Sequence, residues 1–125
     1  MLNCRSIAQA LKKDCREHWG RERGNPTSTL AAARQMRRIL LRPELTGTFH
    51  LTCEGEASWA EFAAEIFRLA GKNQKIVPCT TAEFPRPAPR PANSRLEKMM
   101  LRLAGLPPMP HWKEALAEFM AVEFR

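Results

Sequence analysis

Arg86 and Arg90 each stand between two prolines, in the run Phe84-Pro85-Arg86-Pro87-Ala88-Pro89-Arg90-Pro91-Ala92. Proline fixes φ and removes a backbone donor, so this run is extended and stiff. An arginine fork held on such a backbone can pair with phosphate oxygens while losing little conformational entropy. Ser94-Arg95-Leu96-Glu97 follows at once and has the form of a capping box, which opens a helix whose first N–H groups add anion donors. The chemistry expected here is the binding of a phosphorylated ligand, carried by Arg90, with Arg86 the weaker candidate.

Other reactive residue types are less well placed. Cys4, Cys15, Cys53 and Cys79 include no C-x-x-C pair, and Cys15 with His18 is at most half a zinc site, so no metal is expected. His50 has no acid partner or nucleophile placed with it and reads as structural or exposed. The 125 residues include no tyrosine, and the six glycines never fall into G-x-G-x-x-G. Chemistry that needs a tyrosine acid, or a glycine loop around a pyrophosphate, is excluded from this chain acting alone.

Residues 1–23 are basic and weakly periodic, and the stretch from Asp14 through Arg23 has little strand propensity, so this part reads as a poorly matched basic leader. After Gly24-Asn25-Pro26, a cap among Thr27, Ser28 and Thr29 opens a helix with Leu30, Ala33, Met36 and Leu40 at helical spacing, ended by Pro43. Asn25 itself is either part of the local turn or ligand-facing. Residues 47–53 alternate as a half-buried strand, with Phe49, Leu51 and Cys53 on one side. Ser58-Trp59-Ala60-Glu61 is a second capping box, opening a helix with Trp59, Phe62, Ala63, Ile66 and Ala70 inward and Gly71 at its end. Residues 75–79 read as a short strand. Ser94 opens a helix with Leu96, Met99, Met100 and Leu103 on one face, closed by Gly105, and Trp112, Ala115, Leu116 and Phe119 mark a last helix. Trp59, Trp112 and the Met99-Met100 pair all read as core.

Composition bounds the class. With 44% hydrophobic and 26% charged residues, the chain is of soluble globular type and has room for one modest domain. No apolar run approaches the roughly 20 residues of a membrane span, and no signal peptide is evident, so a cytoplasmic location without membrane contact is expected. The net charge of +7 raises the question of nucleic acid, but no dense Lys/Arg cluster with interleaved aromatics is present, and that partner is disfavoured. The alternative retained is a small basic interaction module that binds nucleic acid or an acidic protein through Arg34, Arg38, Arg42 and the leader.

The strings Gly24-Asn25-Pro26-Thr27, Gly47-Thr48-Phe49-His50-Leu51, Ser58-Trp59-Ala60-Glu61-Phe62-Ala63, the Pro-Arg run through Asn93-Ser94, and Pro110-His111-Trp112-Lys113-Glu114-Ala115-Leu116 stand in an order that resembles one family. It is the C-terminal, substrate-binding part of the dTDP-4-dehydrorhamnose reductases, in the extended short-chain dehydrogenase/reductase superfamily. The resemblance covers residues 24–124. It implies an α/β family fragment: a mostly helical α+β lobe of about four helices and two short strands, lacking the Rossmann sheet. It divides the chain into a leader, 1–23, and a substrate-binding lobe, 24–125. It further implies that the full-length enzyme reduces the 4-keto group of dTDP-4-dehydro-L-rhamnose with NADPH or NADH, the final step of dTDP-L-rhamnose biosynthesis, through a glycine loop and a Tyr-x-x-x-Lys pair. This chain contains neither and is expected to be a truncated form, inactive alone, with no cofactor of its own. The substrate-binding residues implied are Arg90, Asn93, Ser94 and Asn25, with no catalytic, cofactor or metal residues. The partners implied are a dTDP-sugar, and either a separate Rossmann-half chain or self-association through exposed apolar faces.

Overall fold

The computed structural model describes residues 18–73, 75–79 and 91–123. In chain order these form β1 (His18–Gly20), β2 (Arg23–Gly24), α1 (Thr29–Leu40), β3 (Ala57–Ser58), α2 (Trp59–Leu69), β4 (Val77–Cys79), α3 (Met99–Leu103) and α4 (Trp112–Glu123). The result is a mostly helical α+β lobe with a few short strands. β1 pairs with β4 in parallel, His18 opposite Val77 and Gly20 opposite Cys79. β2 pairs with β3 in antiparallel, Arg23 opposite Ser58 and Gly24 opposite Ala57.

The core lies where α2 meets α4. Phe62 and Ile66 of α2 and Trp112, Leu116 and Met120 of α4 are buried together with Leu101, Met109 and Cys53. The Phe62 and Trp112 rings meet at 5.9 Å and 57°. α2 forms where its capping box predicts: Ser58 Oγ accepts from Glu61 N at 3.2 Å, while Ser58 N donates to Glu61 Oε2 at 2.6 Å. Gly71, at φ 65°, turns the chain out of the helix.

Four sequence expectations are corrected. The first concerns residues 18–20, which pair as a strand although their composition gives no sign of one; here the partner strand β4 overrides weak propensity. Second, residues 47–53 form no ladder among the described residues. Their alternation does report burial, since Phe49 and Leu51 pack on the core and Cys53 is buried. The backbone next to them bonds elsewhere: Cys53 N to Thr27 Oγ1 at 3.1 Å, and Glu54 N to Pro110 O at 2.9 Å.

Third, Ser94 caps no helix, and α3 begins only at Met99. The donors that a helix N-terminus leaves free are already engaged across the chain. Ser94 N donates to Arg23 O at 2.8 Å, and Leu96 N to Asn25 Oδ1 at 2.9 Å. With the helix start displaced, Leu101 becomes the buried residue of α3, and Leu96, Met99 and Leu103 are exposed. Fourth, α1 packs through Ala31, Gln35 and Ile39, not through the Leu30, Ala33, Met36 and Leu40 stripe. Gln35, only 1% exposed, donates from Nε2 to Pro107 O at 2.9 Å, whereas Leu40 is 76% exposed. A satisfied polar side chain thus replaces a leucine at the contact.

Candidate functional site: a pocket between β2, β3 and the 91–96 segment

β2 has a neighbour on each side. Beyond β3, the segment after the proline run lies along its other edge: Arg23 N donates to Ala92 O at 2.9 Å, and Arg23 and Asn93 form a parallel bridge. Asn25 fastens the three segments together. Its Nδ2 donates to Gly55 O at 2.7 Å, and its Oδ1 accepts from Leu96 N. Thr27 Oγ1 closes the turn by donating to Asn25 O at 2.9 Å. The Asn-Pro-Thr string is therefore a clamp as well as a turn.

These segments enclose a cavity of about 260 Å³, lined among others by Arg23, Asn25, Ser58, Trp59, Phe62 and Ser94. Trp59 is not core: it is 43% exposed, and its ring meets the edge of Phe62 at 6.3 Å and 83°. The correction has a local cause, because Trp59 occupies the first turn of α2, next to the cap, where the helix is flanked by the pocket instead of by α4. One wall is thus aromatic and another carries amide, hydroxyl and guanidinium groups. The volume falls just below the ~300–1,000 Å³ usual for small-molecule sites.

Charge gathers around Arg23, one of the lining residues. Glu56 Oε1 accepts from Arg23 Nη1 at 2.6 Å, and Glu56 Oε2 is bonded to Arg95 Nη1. Glu61 Oε1 lies 3.6 Å from Arg23 Nη2. Asn93 Oδ1 steadies Arg95 by accepting from its N at 3.0 Å and its Nε at 2.8 Å. The Arg95 hydrogen bond, then the charges of Arg95 and Arg23, hold the Glu56 carboxyl below its ordinary range. Glu61 is lowered as well, chiefly by the Ser58 backbone N–H.

Of the residues expected at the site, Asn25 and Ser94 line the pocket, and Asn93 lies beside it, bridged to Arg23. Arg90 and Arg86 lie outside the described residues. Arg23, Glu56 and Arg95 were not foreseen, since contacts spanning 33 and 39 residues leave no local pattern. The arginines of the alternative module all have intramolecular partners: Arg34 with Glu118, Arg38 with Gln35, and Arg42 with Glu44 and Ala104 O. Among the described residues, no group of three or more His, Cys, Asp or Glu side chains could hold a metal. No helix there is long and apolar enough to cross a membrane.

The glycine loop that cradles a dinucleotide pyrophosphate has no counterpart among the described residues. Gly24 lies within β2 and Gly55 just before β3, and both have close side-chain neighbours. A Cβ on Gly24 would meet Ser94 Oγ at 2.9 Å, and one on Gly55 would collide with the His111 ring.

Fold and pocket together define a substrate-binding lobe of the reductase type. It superposes on a dTDP-4-dehydrorhamnose reductase from Clostridium acetobutylicum with a TM-score of 0.87 and 40% identity, covering 98% of this chain and 44% of that one. The reductase of the same name from Bacillus anthracis, solved in complex with NADP, gives a TM-score of 0.88 at 30% identity, covering 97% and 43%. The probable dTDP-4,6-dihydroxy-2-methyloxan-3-one 4-ketoreductase of Streptomyces antibioticus is 40% identical over 98 residues, 78% of this chain and 33% of that protein. Residues 19–124 match the model of the RmlD substrate binding domain, and the chain belongs to that family. It spans about a third of the length of the curated relatives it matches.

Proposed function

We infer that the chain is the nucleotide-sugar-binding lobe of an NAD(P)H-dependent reductase, and that its pocket takes one end of a dTDP-linked sugar. The observation that carries this reading is the pocket itself, in which an exposed tryptophan faces polar groups from two further segments, one of them leading out of the Pro-Arg run. Trp59 offers a ring surface to a sugar or base, and Arg90 a fork for the diphosphate. Relatives that act on dTDP-sugars support the choice of ligand.

Hydride transfer then requires residues from elsewhere, because this sequence contains no tyrosine and no glycine-loop fingerprint. The cofactor-bearing half would come from a separate chain or from a longer form of this one. The outward apolar stripe of α1 is a surface on which such a half, or a second copy, would bury area.

Thermal unfolding with dTDP, UDP and inorganic pyrophosphate tests the binding. dTDP should raise the midpoint more than the other two, and Arg90→Ala should reduce the gain. Equal effects of dTDP and pyrophosphate would sink the nucleotide-sugar reading. NADPH oxidation with a dTDP-4-dehydro sugar should be absent for the chain alone and appear on co-expression with a cofactor-binding half.

A further inference from the structure

Beside the pocket, around β2, lies a charge arrangement that the function above leaves unused. One carboxylate, Glu56, lies between two guanidinium groups, with Oε1 on Arg23 and Oε2 on Arg95. The three residues come from different parts of the chain: β2, the residue before β3, and the segment after the proline run. Arg95 is held in place independently, by Asn93 Oδ1 on its Nε. Arg23 lines the pocket, and Glu56 and Arg95 directly adjoin the lining residues Ala57 and Ser94. A carboxylate that gives one oxygen to each of two arginines occupies the place that a phosphate takes between paired guanidinium groups.

The charges also fit a held position. Arg23 and Arg95 contribute two positive charges and Glu56 and Glu61 two negative ones, and Glu22 adds a further carboxylate to the pocket lining. All three side chains of the bridge are substantially exposed, at 45%, 39% and 44% for Arg23, Glu56 and Arg95. Ion pairs this exposed hold weakly and exchange readily. A diphosphate has more charge and more acceptor oxygens than one carboxylate and competes well for the same donors.

We propose that Arg23 and Arg95 form a two-arginine clamp for a diphosphate group, with the Glu56 carboxylate as a built-in occupant that the ligand must displace. Glu56 thereby sets the affinity of the site downward and keeps the two arginines aligned while it is empty of ligand. The clamp rests on the nucleotide-sugar reading only for the source of the diphosphate.

The test is calorimetric titration of the 125-residue chain with inorganic pyrophosphate at low salt. Glu56→Gln removes the competing charge and should tighten binding about tenfold. Glu56→Asp keeps the charge but retracts it by one methylene and should give a smaller gain, so the outcome does not hang on one variant folding. Glu56→Gln combined with Arg95→Ala should lose the gain. Affinities for Glu56→Gln and Glu56→Asp within about twofold of the parent, or a gain that survives removal of Arg95, would overturn the clamp. A parallel titration with dTDP separates the two ideas. If dTDP binds no tighter than pyrophosphate while Glu56→Gln still tightens both, the clamp stands and the nucleotide-sugar reading fails. If dTDP is preferred but Glu56→Gln changes nothing, the reverse holds.

Discussion

Two tryptophans at the starts of their helices have opposite fates. Trp112 is 3% exposed and stacked between Phe62 and the core of α4, whereas Trp59 opens onto the pocket. Trp112→Ala should cost about 3–5 kcal/mol of stability, as large aromatic truncations in a core do. Trp59→Ala should cost about 1 kcal/mol or less in the free protein. Its effect belongs in binding instead, a loss of about 1–3 kcal/mol for a ring stacked on it. Urea denaturation and dTDP titration of both variants check the division. The sequence places both at amphipathic positions, and periodicity alone does not distinguish a core tryptophan from one on a pocket wall. Asn25 was legible because Asn-Pro-Thr is a local turn signal. The Arg23, Glu56 and Arg95 bridge was not, because its members meet only after the chain has folded.

At the level of elements, one of two matching capping strings starts a helix and the other does not. Ser58-Trp59-Ala60-Glu61 and Ser94-Arg95-Leu96-Glu97 have the same S-x-x-E form. The first caps α2; in the second, Ser94 N and Leu96 N are taken by Arg23 and Asn25, and tertiary hydrogen bonds win over the local motif. The working box makes a pH prediction. Glu61 is held below its ordinary value of 4.5 in the folded state, first by the Ser58 N–H. Its stabilisation is therefore fully present above that value and is lost as the pH falls through the lowered folded value. Glu61→Gln keeps an acceptor for Ser58 N–H but cannot titrate. The variant should lose less stability than the parent between about pH 5 and about pH 3, as read from urea midpoints at the two values. The alternation over 47–53 shows the same division: burial was legible, but a ladder needs a neighbouring strand, which no single segment encodes.

Over the whole molecule, the helical inventory and the α+β class were legible because α1 and α2 are strongly amphipathic and turn signals bound each helix. The side on which α1 would pack was not. Ala31 and Gln35 form its inner face, since Gln35 satisfies itself on Pro107 O, and the larger apolar residues are turned outward. That outward stripe should be silent in the stability of the isolated chain and visible in its association. Met36→Lys with Leu40→Lys should change unfolding free energy by no more than about 0.5 kcal/mol for each site. The same pair should shift sedimentation velocity profiles at high concentration toward the monomer. A retained oligomer would move the self-association surface elsewhere. The two-stranded β1–β4 ladder has the same incompleteness, because parallel pairs are ordinarily covered on both faces and isolated two-stranded sheets are marginal.

The two hydrogen bonds of the Asn25 side chain join residues 30 and 71 positions apart. Closing such loops costs chain entropy before any contact rewards it, so contacts of this span form late in folding, after local helices such as α2 and α4. The pocket is thus among the last features to assemble and among the first to come apart. A ligand that ties the 22–27 turn to the 91–96 segment acts on interactions absent from the folding transition state. It is expected to lengthen the lifetime of the folded chain while leaving the rate of folding nearly unchanged.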